Sequence, residues 1–377
     1  LGQGQVAGWD ACTGRGKQHA GPSIGAFAFG LAQLYFALFV VLPALRKRGA
    51  PAPAKTWEGA EGLEWEVASP APFHTFGAWA FASAWIDAIL SPMRTLPLPL
   101  GGRMPVLGLG TWRMGEERGR RRAEVAAVRA AIEMGWRLID TAEMYGEGGA
   151  EEVVGQAIAE ALRTGDVTRE ELFVVSKVYP HNASRKGTPA ARARSLARLG
   201  LDHVDLYLLH WRGEHALAET CEAMRALADG GRIRHWGVSN FDTEDMEELA
   251  AVCGEPLDCA ANQVYYSVGE RGPEFSLLPW QRSRAMPLMA YSPIDQGALA
   301  SDAALKKMAQ RLGVTAAQLA LAWVIAQPGV VAIPKAVSET HLRDNLAAAD
   351  LQLSVEDLAE IDRLHPPPRR RKPLAMI

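Results

Sequence analysis

Cysteine is scarce in this chain. There are four among 377 residues: Cys12, Cys221, Cys253 and Cys259. No two form a CxxC pair, and none joins histidines at zinc-ligand spacing. A structural metal is therefore not expected, and the set fits a reducing compartment. Net charge is small as well, −3 from 40 basic and 43 acidic residues. That leaves no broad basic field to hold nucleic acid. The run Arg369-Arg370-Arg371-Lys372 follows three prolines and reads as a solvated terminus. A dinucleotide turn of the GxGxxG kind is also missing: Gly108-Leu109-Gly110-Thr111-Trp112 has no third glycine in place. An open doubly wound sheet would normally carry that turn after its first strand.

The apolar content is divided between two unlike parts. In residues 1–94 a 23-residue apolar run, Ser23 to Leu45, is broken only by Gln33 and Pro43, with Arg46, Lys47 and Arg48 directly after it. As a helix it would be roughly 35 Å long, enough to cross a hydrocarbon core. The cations place its C-terminal side in the cytoplasm. The expected organisation is a membrane helix (about 23–45) with a linker and tail over 1–94, then a catalytic domain over 95–377. Residues 20–76, with Leu63-Glu64-Trp65 and Ser69-Pro70-Ala71-Pro72-Phe73-His74, resemble the C-terminal end of cytochrome c oxidase subunit I. The metal-bearing helices of that family have no counterpart here, so no oxidase chemistry follows. The chain starts at Leu1, and a fusion of two reading frames or a fragment is the companion reading.

From Thr95 onward the pattern is regular. Leu96–Pro99, Gly101-Gly102 and Met104–Val106 read as a hairpin with a Gly-Gly turn. Strand-like runs then begin near Val106, Arg137, Leu172, Val204, Ile233, Cys259, Pro287 and Val330. Helical periodicity fills the gaps, as in Ala123–Met134, Glu151–Leu162, Glu214–Leu227 and Ala316–Ile325. Eight such units over 95–377 predict an α/β fold, a closed (β/α)8 TIM barrel preceded by the hairpin. Asp140, Lys177 and His210 fall at the ends of three successive strands, and Tyr145 lies five residues beyond Asp140. Parallel strands present their C-terminal ends to one mouth, so a carboxylate, an ammonium, an imidazole and a phenol would meet there.

Seven strings in register resemble the aldo-keto reductases. They are Leu138-Ile139-Asp140-Thr141-Ala142-Glu143-Met144-Tyr145-Gly146, Ser176-Lys177-Val178, Leu208-Leu209-His210-Trp211, Gly237-Val238-Ser239-Asn240-Phe241, Asn262-Gln263, Ala290-Tyr291-Ser292-Pro293 and Ile333-Pro334-Lys335. The short loops are most similar to those of bacterial members that reduce methylglyoxal and similar small aldehydes. The resemblance implies a catalytic tetrad of Asp140, Tyr145, Lys177 and His210. Tyr145 would protonate the carbonyl oxygen, Lys177 would lower a phenol pKa of about 10, Asp140 would orient Lys177, and His210 would hold the substrate oxygen.

The resemblance also implies a nicotinamide dinucleotide, NADPH in preference to NADH. Ser239, Asn240 and Gln263 would hold the carboxamide and Tyr291, with Ser292 beside it, would stack on the ring. Gly110 and Thr111 would line the ring pocket. At the far end Lys335, Ser338, His341, Arg343 and Asn345 would receive the adenosine phosphate and adenine. His341 stands where many relatives carry arginine, which weakens the expected 2′-phosphate clamp. Trp112, Tyr179, His181 and Trp211 would wall a pocket for a small carbonyl substrate, while Trp236 and Trp323 would be core. The competing reading, in a different class, is a non-catalytic barrel that senses the nicotinamide. The sequence leaves the oligomeric state open.

Overall fold

The computed structural model describes residues 93–377. The expected membrane helix at 23–45 and the segment resembling an oxidase tail lie outside the described residues. Among the described residues no single helix is long and apolar enough to cross a membrane.

A two-stranded antiparallel hairpin comes first, β1 (Thr95–Pro97) and β2 (Arg103–Pro105). Its turn carries Gly101 and Gly102 at φ 94° and 79°, a region closed to most L-residues. Eight strands follow: β3 (Gly108–Gly110), β4 (Leu138–Asp140), β5 (Phe173–Val178), β6 (Val204–Leu209), β7 (Ile233–Ser239), β8 (Asn262–Tyr265), β9 (Leu288–Tyr291) and β10 (Val330–Ile333). All are parallel and paired in chain order. The ring closes where Ala332 N–H donates to Val106 O at 2.9 Å and Gly110 N–H donates to Pro334 O at 2.9 Å. A Cβ on Gly110 would lie 2.8 Å from Ile333 O, so the closure itself calls for glycine there.

The helices form the outer layer. They are α1 (Arg121–Met134), α2 (Gly149–Thr164), α3 (Gly187–Leu199), α4 (Leu217–Asp229), α5 (Thr243–Cys253), α6 (Leu277–Arg282), α7 (Ala303–Leu312), α8 (Ala316–Ala326), α9 (Glu339–Ala347) and α10 (Val355–Leu364). Their starts follow local chemistry. Thr315 with Gln318, Asp242 with Asp245 and Ser354 with Asp357 form reciprocal capping boxes that satisfy the first free N–H groups. The helix expected from Glu214 begins three residues later, at Leu217.

Side-chain alternation along the strands makes two cores. One face of β4, β5 and β6 sends Leu138, Phe173, Val175, Leu206 and Leu208 into the barrel interior. Leu98 and Met104 of the hairpin segment join that cluster. The other face sends Ile139, Val174, Val178, Tyr207 and Leu209 outward against the helices. The alternation continues to the strand ends, so Asp140, Lys177 and His210 inherit the inward phase. Trp236 and Trp323 are core, as expected.

The spacing of the cysteines in sequence does not announce their one pairing among the described residues. Cys221 on α4 and Cys253 at the end of α5 are joined in a disulfide, with Cα atoms 6.3 Å apart, while Cys259 is free and buried. Thirty-two residues separate the pair. The closeness comes from the packing of neighbouring helices, which no local motif announces.

Helix α2 lies so close to the end of α3 that a Cβ on Gly155 would stand 2.5 Å from Arg198 O and 2.7 Å from Leu199 O. Gly155→Ala should therefore lower unfolding free energy by about 1–3 kcal/mol through overpacking. Urea denaturation measures it, and an unchanged midpoint would show that the helices separate freely.

Candidate active site

The strand ends bring the four predicted side chains together. Lys177, the inward residue near the end of β5, is wholly buried. Its ammonium donates to Asp140 Oδ2 at 2.7 Å, to Thr141 O at 3.0 Å and to the Tyr145 hydroxyl oxygen at 3.0 Å. Three donors thus meet three acceptors. The second carboxylate oxygen of Asp140 accepts Gln263 Nε2 at 2.8 Å. The Tyr145 and His210 rings meet edge to face with centroids 5.7 Å apart, and Trp211 lies 4.8 Å from His210.

Charge and burial set the protonation states. Burial raises the Tyr145 phenol above its usual value; Lys177 pulls it down and Asp140 pushes it up again. The net shift is upward, although Lys177 was expected to lower this pKa. The ammonium does act in that direction, but its field is shared with the Asp140 carboxylate, and burial outweighs it. Burial would depress the Lys177 ammonium, yet Asp140 and Tyr145 more than reverse this, so its pKa ends above the ordinary value. Burial, assisted by Lys177, holds His210 well below the usual imidazole range. Its Nδ1 is buried and without a hydrogen-bond partner among the described residues. The site at neutral pH accordingly holds a protonated phenol, a charged amine and a neutral imidazole.

A cavity of about 910 Å3 opens above this floor. Asp140, Tyr145, His210, Trp112 and Trp211 line it near the tetrad. Gly110, Ser239, Asn240, Gln263, Tyr291 and Ser292 line its middle, and Lys335, His341 and Asn345 its far end at the start of α9. The polar residues of the middle brace one another. Asn240 Nδ2 donates to His210 O at 3.1 Å, Tyr291 OH donates to Asn240 Oδ1 at 2.9 Å, and Ser239 Oγ donates to Gln263 O at 2.8 Å. Burial lifts the Tyr291 phenol to about 12. At the far end burial lowers the Lys335 ammonium, which Glu124 and Glu116 partly counter.

Six of the predicted site residues are not in the cavity lining. Thr111 is buried, and its hydroxyl donates to Asp140 O at 2.9 Å. Ser338 caps α9, accepting His341 N–H at 3.3 Å. Arg343 points out and pairs with Glu339 at 2.9 Å. Tyr179 and His181 pack at a tilt with ring centroids 4.8 Å apart beside the site, and Tyr179 meets Trp211 edge-on at 5.9 Å. Lys177 reaches the site from beneath, through Tyr145. Sequence reasoning missed Arg113, Met144, Gln296, Asp344 and Met376, which do line the cavity. Arg113 and Asp344 could have been found as charged neighbours of Trp112 and Asn345. Met376 could not, because only the fold returns the C-terminal tail to the mouth.

Residues 106–366 match the profile of the aldo/keto reductase family. The chain belongs to that family. It is 48% identical to methylglyoxal reductase YeaE of Escherichia coli over 279 residues, 73% of this chain and 95% of the relative. It is 38% identical to the glyoxal reductase of Bacillus subtilis, over 72% of this chain and 92% of that protein. The crystal structure of an aldo-keto reductase from Klebsiella pneumoniae in complex with NADPH superposes with a TM-score of 0.71 at 48% identity. It covers 76% of this chain and 99% of that one. The expected (β/α)8 barrel is thus the fold this reductase shares with its relatives.

The neutral state of His210 is directly measurable. Its ring nitrogens should show no titration between pH 6 and 8 in 15N NMR, because burial beside Lys177 opposes a second positive charge. A midpoint near 6.5 would contradict this geometry.

Proposed function

We propose that the protein reduces small aldehydes and ketones of the methylglyoxal kind to alcohols, using NADPH and with Tyr145 as proton donor. The single observation that carries the reading is the Lys177 ammonium bound at once to Asp140 and to the Tyr145 hydroxyl, beneath a cavity that His210 also faces. The substrate and cofactor classes are supported by the relatives described above, one named a methylglyoxal reductase and one solved with NADPH.

The residues fit a dinucleotide. A volume of about 910 Å3 is at the large end for a small-molecule site and runs from the tetrad to the start of α9. Gln263 commits its amide nitrogen to Asp140, so its oxygen is the atom offered to a carboxamide. Tyr291 offers its ring face. Lys335 stands near the N-terminus of α9, where a phosphate gains from both the cation and the helix. When bound, the dinucleotide supplies a hydride to the carbonyl carbon.

The chain's own groups serve the carbonyl oxygen. Neutral His210 donates a hydrogen bond and orients it. Tyr145 OH gives its proton as negative charge develops there, and Lys177 stabilises the phenolate left behind. Asp140 keeps Lys177 charged and in place. Overall, carbonyl, NADPH and one proton become alcohol and NADP+. Trp112 and Trp211 favour a compact substrate.

We take residue 94 as the approximate boundary between the reductase domain and a segment that tethers it, through 23–45, to the cytoplasmic face of a membrane. The 23-residue apolar run and its following cations support this. Recovery of the full-length protein from washed membranes would agree, and recovery wholly in the supernatant would remove the tether.

Two substitutions test the chemistry. Tyr145→Phe should lower kcat with methylglyoxal by roughly 10²–10⁴-fold while NADPH affinity stays close to that of the parent. Lys335→Ala should weaken NADPH by roughly tenfold or more and NADH far less, because a hydrogen-bonded ion pair to a phosphate is lost. Turnover of Tyr145→Phe at the parental rate would remove the donor assignment. Tight NADPH binding without turnover in the parent would favour the sensing barrel.

A further inference from the structure

Tyr145 opens a short turn that closes on Glu147 N–H to Met144 O at 3.2 Å but passes through unusual backbone angles. The three residues after Tyr145, Gly146, Glu147 and Gly148, have φ of 58°, 52° and 92°. A non-glycine residue rarely stays in that region unless its surroundings over-determine it. A hydroxyl that must meet a carbonyl oxygen at hydrogen-bond distance therefore depends on what grips this turn.

The grip centres on Glu143, two residues before the phenol. Its side chain is 5% exposed. Oε1 accepts Tyr179 N–H at 2.8 Å and Asn182 Nδ2 at 3.0 Å, and Oε2 accepts Arg194 at 3.2 Å. Its own N–H donates to Lys177 O at 3.3 Å. Tyr179 completes the clasp from the other side, its hydroxyl donating to Glu147 Oε1 at 3.2 Å. One residue of the loop after β5 thus holds the Tyr145 turn both before and after the phenol. The Tyr179 ring in turn meets Trp211 edge-on, and Trp211 packs on His210. Glu143, Tyr179, Asn182 and Arg194 all stand outside the cavity lining.

A buried carboxylate is a costly way to fill space. Its one cation among the described residues, Arg194, is half exposed, and an apolar side chain of similar size would avoid the desolvation. What an apolar side chain cannot do is accept from the neighbouring loop and fix its distance. We propose that Glu143 is a positioning residue for the carbonyl reduction. Its buried carboxylate fastens the strained Tyr145 turn to the loop after β5, and so sets the phenol relative to His210. The inference rests on Tyr145 as proton donor. It also gives Tyr179 a role as brace, in place of the pocket wall expected from sequence.

The test uses the full chain with methylglyoxal and NADPH. Glu143→Ala removes the acceptor and should lower kcat by roughly 10- to 100-fold, the scale of a misplacement near 1 Å. The substrate KM and the NADPH affinity should stay near parental values. The solvent deuterium isotope effect on kcat should rise, because proton delivery becomes slower. Glu143→Gln keeps an oxygen for Tyr179 N–H and should recover most of the turnover. Asn182→Ala, a milder loss on the same carboxylate, should show the same isotope signature with a smaller fall, and decides the matter should Glu143→Ala not fold. Parental kcat in Glu143→Ala, a Gln variant as impaired as the Ala variant, a loss confined to KM, or an unchanged Asn182→Ala would each overturn the proposal. Tyr145→Phe separates the two levels. If it turns over like the parent, the donor reading fails. If it is inactive while Glu143→Ala is unimpaired, only the positioning fails.

Discussion

Lys177 carries its charge into the closed floor of the barrel, where water cannot reach it. Such a charge is tolerable only with a partner and with every donor satisfied. Asp140 supplies the partner, and Thr141 O and the Tyr145 hydroxyl take the remaining hydrogens. The arrangement is poor value as a stabilising device, since apolar side chains of equal volume commonly do as well or better. Its worth is chemical: it keeps a cation beside a phenol that is itself protonated at neutral pH. Burial raises the phenol and the ammonium opposes it; in the proposed reaction the proton stays in place until negative charge forms on the substrate oxygen.

The barrel makes that arrangement possible by phase and by rigidity. Strand alternation aims Asp140, Lys177 and His210 inward, and the same faces lower down are filled by Leu138, Phe173, Val175, Leu206 and Leu208. A packed interior lets the polar layer sit at one depth. The same burial that isolates Lys177 keeps His210 neutral, so one environment holds the phenol and the amine protonated and the imidazole uncharged. Around this layer the cavity residues brace one another, Tyr291 through Asn240 and Ser239 through Gln263, which presents their remaining atoms in fixed directions.

Much of this was legible in the sequence. Eight apolar runs separated by helical periodicity gave the barrel, because a parallel strand buried on both faces reads as continuous apolar sequence. Asp140, Lys177 and His210 were legible because they fall at successive strand ends, and Tyr145 because it follows Asp140 in the next loop. Other features depended on distance in space. Tyr179 and His181 follow a strand as pocket residues would, yet Glu143 draws that loop aside. Arg343 follows His341 closely, but helical geometry turns it towards Glu339. The Cys221–Cys253 pair and the return of Met376 to the mouth arise from packing between remote segments. The sign of the Tyr145 shift was not readable, since a charged neighbour is visible in sequence and the degree of burial is not.

The central claim is that one carbonyl oxygen is served by Tyr145 and His210 while Lys177 remains bound to Asp140. A crystal structure of the enzyme with NADPH and a carbonyl-bearing inhibitor tests it most directly. The account predicts the ligand oxygen within hydrogen-bond distance of both the Tyr145 hydroxyl and the His210 imidazole, with the Lys177–Asp140 contact intact. A ligand oxygen held elsewhere in the cavity, or Lys177 swung away from Tyr145 to meet it, would contradict the account.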